Sequence, residues 1–467
     1  MSYRSGEVDM TDAGLASLLV DALVGRWLYV ADRDIWLKWV GTHWQPDRRK
    51  VLLQEALAVA EECEAGLGTI IDDKERGKAR KAWLSRLSAA SMRASISIAQ
   101  SDPRIVVLQS NLDASATLLS TPSGTVDLST GKLRPSDPED RITMITTAPF
   151  DPGAASELWS SFLAEVTCGN DEMLSWLRAA VGMSLLGDQR EQVAMFCHGI
   201  GANGKTTFFD TVLHAIGDYG AKGAPDLVSL SKFDRHPTEL MDLCGRRMVV
   251  VDEIKGQTAL DESKLKRING GGKTKGRAMG KDFVEFPNTW SMWLDGNARP
   301  PVQGQDEGIW RRLRLVPWRL HVPDAQRDRT LPARLCAEAS AVLAWAVQGC
   351  SEYLALGRLP VCAAIDDGTK AYRMEQDLIG AWLADVCAVD VWEPKPGAWT
   401  PAAQVQASAK AWCEANNVHP WRPQTLGQDL QRRGVESAKR GGMRGWAGLD
   451  IATTTQPYEQ AHDRPWH

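Results

Sequence analysis

A glycine-rich segment, with an apolar strand before it and a helix after it, constrains the fold of this chain most. Residues 199–206 read Gly-Ile-Gly-Ala-Asn-Gly-Lys-Thr, which fits the pattern G-x-x-x-x-G-K-[ST]. The apolar residues 193–198 predict the strand, and residues 206–216 predict the helix. From residue 191 onward, apolar strands alternate with helices, which is typical of an α/β core.

This segment predicts a site for the phosphates of a nucleoside triphosphate, which we expect to be ATP. Glycines allow backbone N–H groups to surround phosphate oxygens, and the amino end of a helix adds partial positive charge. We expect Lys205 to reach the β- and γ-phosphates and the Thr206 hydroxyl to bind Mg²⁺. A chance glycine-rich turn is the alternative. The predicted nucleotide-binding residues are Gly199, Gly201, Ala202, Asn203, Gly204, Lys205, Thr206 and Thr207.

A second predicted strand, at residues 247–251, ends in two acidic residues. Asp252 would hold Mg²⁺ through its water shell, and Glu253 would polarise the water that attacks the γ-phosphate. Taken alone, a run of valines followed by two acids is also typical of an ordinary strand end. The glycine-rich segment upstream favours the catalytic interpretation.

Residues 290–294 and 313–318 predict a third and a fourth strand. The third is followed by Asn297, whose amide would orient the attacking water. Arg311 and Arg312 open the fourth, and an arginine here would reach a γ-phosphate bound by a neighbouring subunit. A turn asparagine and surface arginines are the alternatives.

A basic segment lies between the second and third predicted strands. Residues 264–281 hold seven lysines and arginines and no acidic residue, in a chain whose formal net charge is -5. Its glycines suit a protruding hairpin or loop that lies along a phosphate backbone, whereas a solvated face is the alternative. The candidate DNA-binding residues are Lys273, Lys275, Arg277 and Lys281.

The order of these features resembles superfamily 3 helicases, and within them the helicase module of phage and plasmid primase–helicases, which are related to the poxvirus primase–helicase. Besides the motifs above, the residues that carry the resemblance are Gly270-Gly271-Gly272, Arg277, Lys281-Asp282, Phe283, Phe286 and Asn297 with Pro300. Gly272 departs from the family pattern, which often has aspartate there.

The resemblance implies an AAA+-type ATPase that forms a ring, expected to be a hexamer, and hydrolyses ATP between subunits. It also implies 3′-to-5′ movement on single-stranded DNA, with the basic hairpin lining the channel. By position, Arg311 is then the expected arginine in trans, followed by Arg312. The expected partners are single-stranded and forked DNA, further copies of the chain, and a separate primase or host replication proteins.

We expect five regions along the chain. They are a mixed α+β amino-terminal helicase-associated domain at 1–150, a helical collar at 151–190, the ATPase core at 191–360, a small winged-helix-like domain at 375–455, and a flexible tail at 456–467. Within them the patterns predict a hairpin at 36–44, helices at 52–67, 82–98 and 331–356, one or two helices at 159–186, and a helix–helix–hairpin unit at 402–450.

Other features limit the function classes. The nine cysteines form no C-x-x-C pair, and neither a signal peptide nor a membrane-spanning run is present, so we expect a protein of the host bacterial cytoplasm. No primase motif is visible. A replication initiator or helicase loader and a nucleotide kinase remain as alternatives, but a kinase needs neither a channel loop nor an arginine in trans.

Overall fold

The computed structural model describes residues 11–67, 70–230, 240–254, 258–277, 283–302, 307–387 and 392–451. These residues form two compact units. The first extends to Pro300 and includes Arg312–Asp366, and the second joins Pro301–Arg311 to the residues from Asp367 onward. In this described part of the chain, no helix has the length and apolarity that crossing a membrane requires.

The amino-terminal part of the first unit packs four helices against a small sheet. The helices are α1 (Asp12–Leu23), α2 (Val51–Gly66), α3 (Asp73–Leu84) and α4 (Ala89–Ala99), and the strands are β1 (Trp27–Val30), β2 (Ile35–Trp39), β3 (Trp44–Pro46) and β4 (Val106–Val107). The antiparallel β2–β3 pair confirms the hairpin predicted at 36–44. The single helix predicted at 82–98 is wrong, because the Ser88 side chain caps a new helix by accepting from the Ser91 N–H.

A second small sheet and a helical pair lead into the core. They comprise β5 (Leu118–Thr121), β6 (Gly124–Asp127), β7 (Lys132–Arg134), α5 (Glu157–Val166) and α6 (Asp171–Ser184). The sequence allowed one or two helices here, and the structure has two. The chain breaks between them because the Asn170 side chain accepts from the Met173 N–H and starts α6.

The core of the first unit is a five-stranded parallel sheet, as expected for an α/β fold. The strands of this region are β8 (Ala194–His198), β9 (Gly220–Gly223), β10 (Met248–Val251), the hairpin β11 (Lys273–Gly276) and β12 (Val284–Pro287), β13 (Ser291–Gly296) and β14 (Leu313–Pro317). The sheet order is β14-β8-β13-β10-β9. The sequence predicted every strand of this sheet except β9, whose residues Gly-Ala-Lys-Gly show no apolar pattern and form an edge.

Helices pack against one face of the sheet, and its central strand is buried on both faces. The helices of this region in the first unit are α7 (Lys205–Ile216), α8 (Glu262–Ile268), α10 (Leu331–Ala337) and α11 (Ala339–Leu356), and α9 (Glu307–Trp310) belongs to the second unit. All four residues of β10 are fully buried, as is typical of a central parallel strand. The helix predicted at 331–356 is interrupted at Glu338, which separates α10 from α11.

A buried arginine joins the main sheet to the segments that precede it. The guanidinium of Arg247, next to β10, donates to the carbonyl oxygens of Leu185 (2.7 Å), Leu118 (2.7 Å) and Ser115 (3.2 Å). It also lies 4.7 Å from the ring centroid of Tyr219. Burial lowers the pKa of Arg247, yet a guanidinium remains charged at neutral pH. The three carbonyl groups therefore depend on this one cation.

The second unit contains a small three-stranded antiparallel sheet with helices against it. Its elements are α12 (Ala363–Gln376, which begins in the first unit), α13 (Leu378–Cys387), β15 (Trp399–Pro401), α14 (Ala402–Ala415), α15 (Pro423–Arg432), β16 (Glu436–Arg440) and β17 (Met443–Ala447). Trp382, Val405 and Leu430 are fully buried in its core. The helix–helix–hairpin prediction is confirmed, and the predicted tail at 456–467 lies outside the described residues.

We predict that replacing Arg247 with methionine lowers the free energy of unfolding by about 3 kcal/mol or more, because three carbonyl oxygens lose their donor inside the protein. Urea unfolding measures the loss. The neighbouring Arg246→Met is the control, since Arg246 is only half-buried, and it should cost about 1 kcal/mol or less. Equal losses for the two variants would contradict this account of the core.

Candidate functional site

Three loops meet at one edge of the parallel sheet. Strand β13 lies between β8 and β10 and is parallel to both, so the segments that follow these strands emerge side by side. The segment after β8 is the glycine-rich loop (residues 199–204), that after β10 begins with Asp252, and that after β13 begins with Asn297. The sequence predicted these three segments separately, and the fold brings them to one place.

The glycine-rich loop is held in a closely packed turn. A Cβ atom at Gly199 would lie 2.0 Å from the carbonyl oxygen of Trp318, so this position accepts no larger residue. Gly204 has a φ of +81°, in the left-handed region that favours glycine. The Val322 N–H donates to the Ala202 carbonyl oxygen at 2.8 Å and fixes the other side of the turn.

The ammonium group of Lys205 lies buried at the centre of the site. It donates to the Gly199 carbonyl oxygen at 2.9 Å, to Asn203 Oδ1 at 3.4 Å and to Asn297 Oδ1 at 3.3 Å. The carboxylate of Asp295 is 3.6 Å away. A buried ammonium requires such acceptors because desolvation otherwise opposes its charge. Lys205 and Asn297, which the sequence predicted separately as site residues, are therefore in contact.

Asn203 gives the loop a donor that no described residue uses. Its Nδ2 is buried and has no hydrogen-bond partner in the described part of the protein. A buried amide without an acceptor costs about 1–3 kcal/mol, so an anionic ligand at the loop would relieve this cost. Thr206 and Thr207 begin α7 at the same point, and Thr206 is exposed. These residues fit a phosphate group.

The acidic residues divide into two environments. Asp252 is half-buried, and its Oδ2 lies 3.2 Å from Lys222 Nζ. Glu253 is exposed and has a φ of +57°, which strains a residue of this size. Asp295 is more enclosed. Burial raises the pKa of Asp295, and the positive charge of the neighbouring Lys205 partly offsets this rise.

Sequence reasoning missed two charged residues of this edge, Asp295 and Lys222. Asp295 lies on β13, two residues before Asn297, which directly follows the strand, so extended geometry would direct both side chains to the same side. That spacing was a usable signal. Lys222 gave none, because its strand was not recognised.

Magnesium ligation here would depend on few protein atoms. In the described ranges, no group of three or more histidine, cysteine, aspartate or glutamate residues is suited to a metal ion. Mg²⁺ at nucleotide sites keeps several waters and takes one or two protein ligands besides the phosphates. The oxygen donors of Thr206 and Asp252 match that limited requirement.

Part of the predicted basic segment forms the hairpin of β11 and β12, whereas its first residues, 264–268, belong to helix α8 and not to a loop. Lys275 Nζ lies 2.9 Å from Glu285 Oε1 on the opposite strand, and both side chains are exposed. Glu285 lies outside the basic segment, which contains no acidic residue. The Arg277 guanidinium lies 5.2 Å from the Phe283 ring centroid. Lys273 is exposed, and Lys281 lies outside the described residues.

The base of this hairpin is tied to the end of α8. The Thr274 hydroxyl donates to Asn288 Oδ1 at 2.6 Å, and Asn288 Nδ2 donates to the Ile268 carbonyl oxygen at 3.1 Å. Gly272 precedes the hairpin, and a Cβ there would meet nothing within 4 Å. The aspartate that the family often has would therefore fit at Gly272.

Arg312, in the first unit, lies apart from the glycine-rich loop. The carbonyl oxygen of Arg312 accepts from the Ala194 N–H at 2.7 Å, which fixes this residue beside the first residue of β8. The glycine-rich loop follows the last residue of β8, roughly 16 Å away along a five-residue strand. Arg311 is exposed and belongs to the second unit. The fold of one chain thus places Arg312 at the opposite edge of the sheet from Lys205.

Two family profiles match the chain. One, described as D5 N terminal like, matches residues 16–168, and the other, a family of unknown function designated DUF5906, matches residues 197–312. A protein of Acanthamoeba polyphaga mimivirus, named as a candidate helicase, is 25% identical over 214 residues, which are 44% of this chain and 22% of the relative.

A protein of African swine fever virus (Badajoz 1971 strain), named as a candidate primase, is 23% identical over 320 residues, covering 64% of this chain and 33% of the relative. The chain thus spans between about a fifth and a third of these curated relatives. Among solved structures, the apo C-terminal region of NrS-1 (residues 305–718) covers 95% of this chain and 100% of its own, with a TM-score of 0.55 and 10% identity. That likeness is one of fold.

We predict that Gly199→Ala lowers the free energy of unfolding by about 2 kcal/mol or more, because its Cβ overlaps a backbone oxygen. Gly201→Ala is the matched control in the same loop. Its Cβ would meet nothing within 4 Å, so we expect a change within about 0.5 kcal/mol. Urea unfolding distinguishes the two, and a Gly201 variant as unstable as the Gly199 variant would refute the described loop.

Proposed function

Because this chain belongs to the phage and viral primase–helicase family, we propose that it is an ATP-dependent DNA helicase of the superfamily 3, AAA+ type. It would act in the replication of a phage, prophage or mobile element. The observation that carries this proposal is the contact of Lys205 with Asn297, at a sheet edge that also presents Asp252. A glycine-rich loop, a strand-end acid and a strand-end amide at one edge are what hydrolysis of a triphosphate requires.

The proposed chemistry uses the contacts that Lys205 makes now. The triphosphate binds along the glycine-rich loop, where backbone N–H groups, the start of α7 and Asn203 Nδ2 donate to its oxygens. The Lys205 ammonium turns from its protein acceptors to the β- and γ-phosphate oxygens, which form stronger charge-assisted hydrogen bonds. Thr206 and Asp252 would hold Mg²⁺, which neutralises phosphate charge when bound.

Hydrolysis then needs a positioned water. Asn297 orients the water, and Glu253 accepts its proton as the water oxygen bonds to the γ-phosphorus and the bond to the ADP oxygen breaks. Glu253 is exposed, so a neighbouring subunit or the bound nucleotide must exclude solvent from it. This requirement favours a site that is shared between subunits.

An arginine from a second copy of the chain would complete the site. Arg312 lies at the opposite edge of its own sheet from Lys205, and a residue that acts in trans has this kind of placement. Arg311 or Arg312 would then stabilise charge on the γ-phosphate of the adjacent subunit. We propose a closed ring, as a hexamer, because a head-to-tail contact repeats until the rotation closes.

Single-stranded DNA is the proposed substrate of the hairpin. Lys273 and Lys275 are exposed on the same strand, two residues apart, and so project from one face of the pair. The ion pair of Lys275 with Glu285 is exposed, and such pairs are weak enough for a phosphate group to displace. Arg277 would extend this line of charge, and Lys281, which lies outside the described residues, remains a proposed DNA contact.

A replication initiator or loader that grips DNA without processive unwinding is the second candidate. The hairpin of β16 and β17 in the second unit favours it, since Lys439, Arg440 and Arg444 are exposed around a Gly-Gly turn. That arrangement, with α14 and α15 before it, suits a winged-helix contact with duplex DNA. Unwinding activity decides between the two candidates.

We predict that the protein displaces a strand from a forked duplex with a 3′ tail, in the presence of ATP, and not from one with a 5′ tail only. Lys205→Ala should abolish both ATP hydrolysis and displacement, because the Lys205 ammonium is the cation that we expect to contact the β- and γ-phosphates. Circular dichroism checks that the variant is folded. ATP turnover without displacement on either fork would instead support the loader.

We predict that replacing Lys273 and Lys275 with alanine weakens binding to single-stranded DNA and spares basal ATP hydrolysis. Each lysine that neutralises a phosphate adds about 0.7 to the slope of log affinity against log salt, so the slope should fall by about 1.4. Fluorescence anisotropy over a salt series measures it. The exposed Lys132 and Lys370, replaced together, are the control. An unchanged slope in the hairpin variant would remove the hairpin from the DNA path.

A further inference from the structure

A lysine on the edge strand connects the candidate site to helix α7. Lys222 Nζ lies 2.7 Å from Asp210 Oδ1 and 3.2 Å from Asp252 Oδ2. Three elements therefore meet at one ammonium group, which are β9, α7 and the end of β10. No sequence motif includes Lys222 or Asp210.

The backbone explains why these side chains meet. Strand β9 is parallel to β10 with Lys222 opposite Val250, which places the lysine beside the strand end where Asp252 follows. Asp210 comes four residues after Thr206 on α7, and residues four apart lie on the same face of a helix. The ammonium therefore sits between the proposed metal-binding carboxylate and the helix that carries the proposed metal-binding hydroxyl.

The contribution of this contact to stability is small. The Lys222 side chain is 50% exposed and Asp210 is 43% exposed, and ion pairs in water of this kind contribute little. Its hydrogen bond with Asp210 raises the pKa of Lys222, so the group stays charged at neutral pH. The relevant property of this contact is the position of the positive charge, which lies next to the Asp252 carboxylate.

We propose that Lys222 is a positioning residue that occupies Asp252 until a nucleotide-bound divalent cation arrives, and that Asp210 then takes the ammonium. This proposal rests on the proposed function, in which Asp252 serves Mg²⁺. An ammonium and a hydrated divalent cation would compete for the same carboxylate. Asp210 already makes the shorter contact, so Lys222 has a partner when it leaves Asp252.

Two variants should shift the magnesium requirement in opposite directions. Lys222→Met removes the competing cation and should lower the Mg²⁺ concentration for half-maximal effect by about threefold or more, because a positive charge beside the carboxylate opposes the binding of a second cation there. Asp210→Asn leaves Lys222 with Asp252 alone and should raise that concentration by a similar factor. The double variant should behave like Lys222→Met, because Asp210 acts only through Lys222.

The test is a Mg²⁺ titration with two readouts on the full chain. One is the binding of a fluorescent, non-hydrolysable ATP analogue, and the other is ATP turnover. Lys222→Arg is the matched control, since it keeps the charge and should stay near the wild-type midpoint. Thermal unfolding of each variant shows that the fold is retained.

Opposite shifts of the two midpoints support the proposal. Shifts in the same direction, or unchanged midpoints in variants that bind the analogue, overturn it and leave the proposed function intact, because a merely structural contact would lower turnover without such a pattern. A wild-type protein that binds the analogue no better than Lys205→Ala overturns both.

Discussion

The burial of both faces of the five-stranded parallel sheet is the constraint on which the rest of the first unit depends. All residues of β10 and all residues of β13 except Asp295 are buried, so most of them are apolar and polar chemistry is confined to the strand ends. Parallel strands end at a common edge. The same packing that requires Met-Val-Val-Val in β10 therefore places Asp252 beside the segment after β13 and the glycine-rich loop after β8.

At that edge, charge is arranged around two ammonium groups. Lys205 is buried among amide, carbonyl and carboxylate oxygens, and Lys222 is half-exposed between two carboxylates. The two ammonium groups differ in how much hydration they lose on folding. Lys205 is held by several protein acceptors because burial shields it from water, whereas the half-exposed Lys222 is also open to solvent. A triphosphate with its cation would bring charges of both signs, and each lysine has a defined group to leave and a defined group to meet.

Relatives from Acanthamoeba polyphaga mimivirus and African swine fever virus are named as a candidate helicase and a candidate primase, which supports the proposed role in replication, although the chain spans a third or less of those proteins. The likeness to the NrS-1 C-terminal region extends over 95% of the chain at 10% identity. The two chains therefore share a fold although most of their residues differ. The residues at the carboxyl edge of the sheet are where function must be tested, because fold alone does not determine activity.

The sequence by itself determined the elements with strong local signals. Residue type and spacing were enough to predict the glycine-rich loop, the apolar strands and the Asp252–Glu253 pair. Each of these signals depends on residues that are close together in the chain. Only the tertiary structure showed which of these segments are neighbours in the fold. The edge strand β9 exists because β10 offers it hydrogen bonds, and its Gly-Ala-Lys-Gly sequence carries no signal of its own. The sequence therefore did not predict that Lys222 lies at the site, because contacts between residues distant in the chain depend on packing rather than on local pattern.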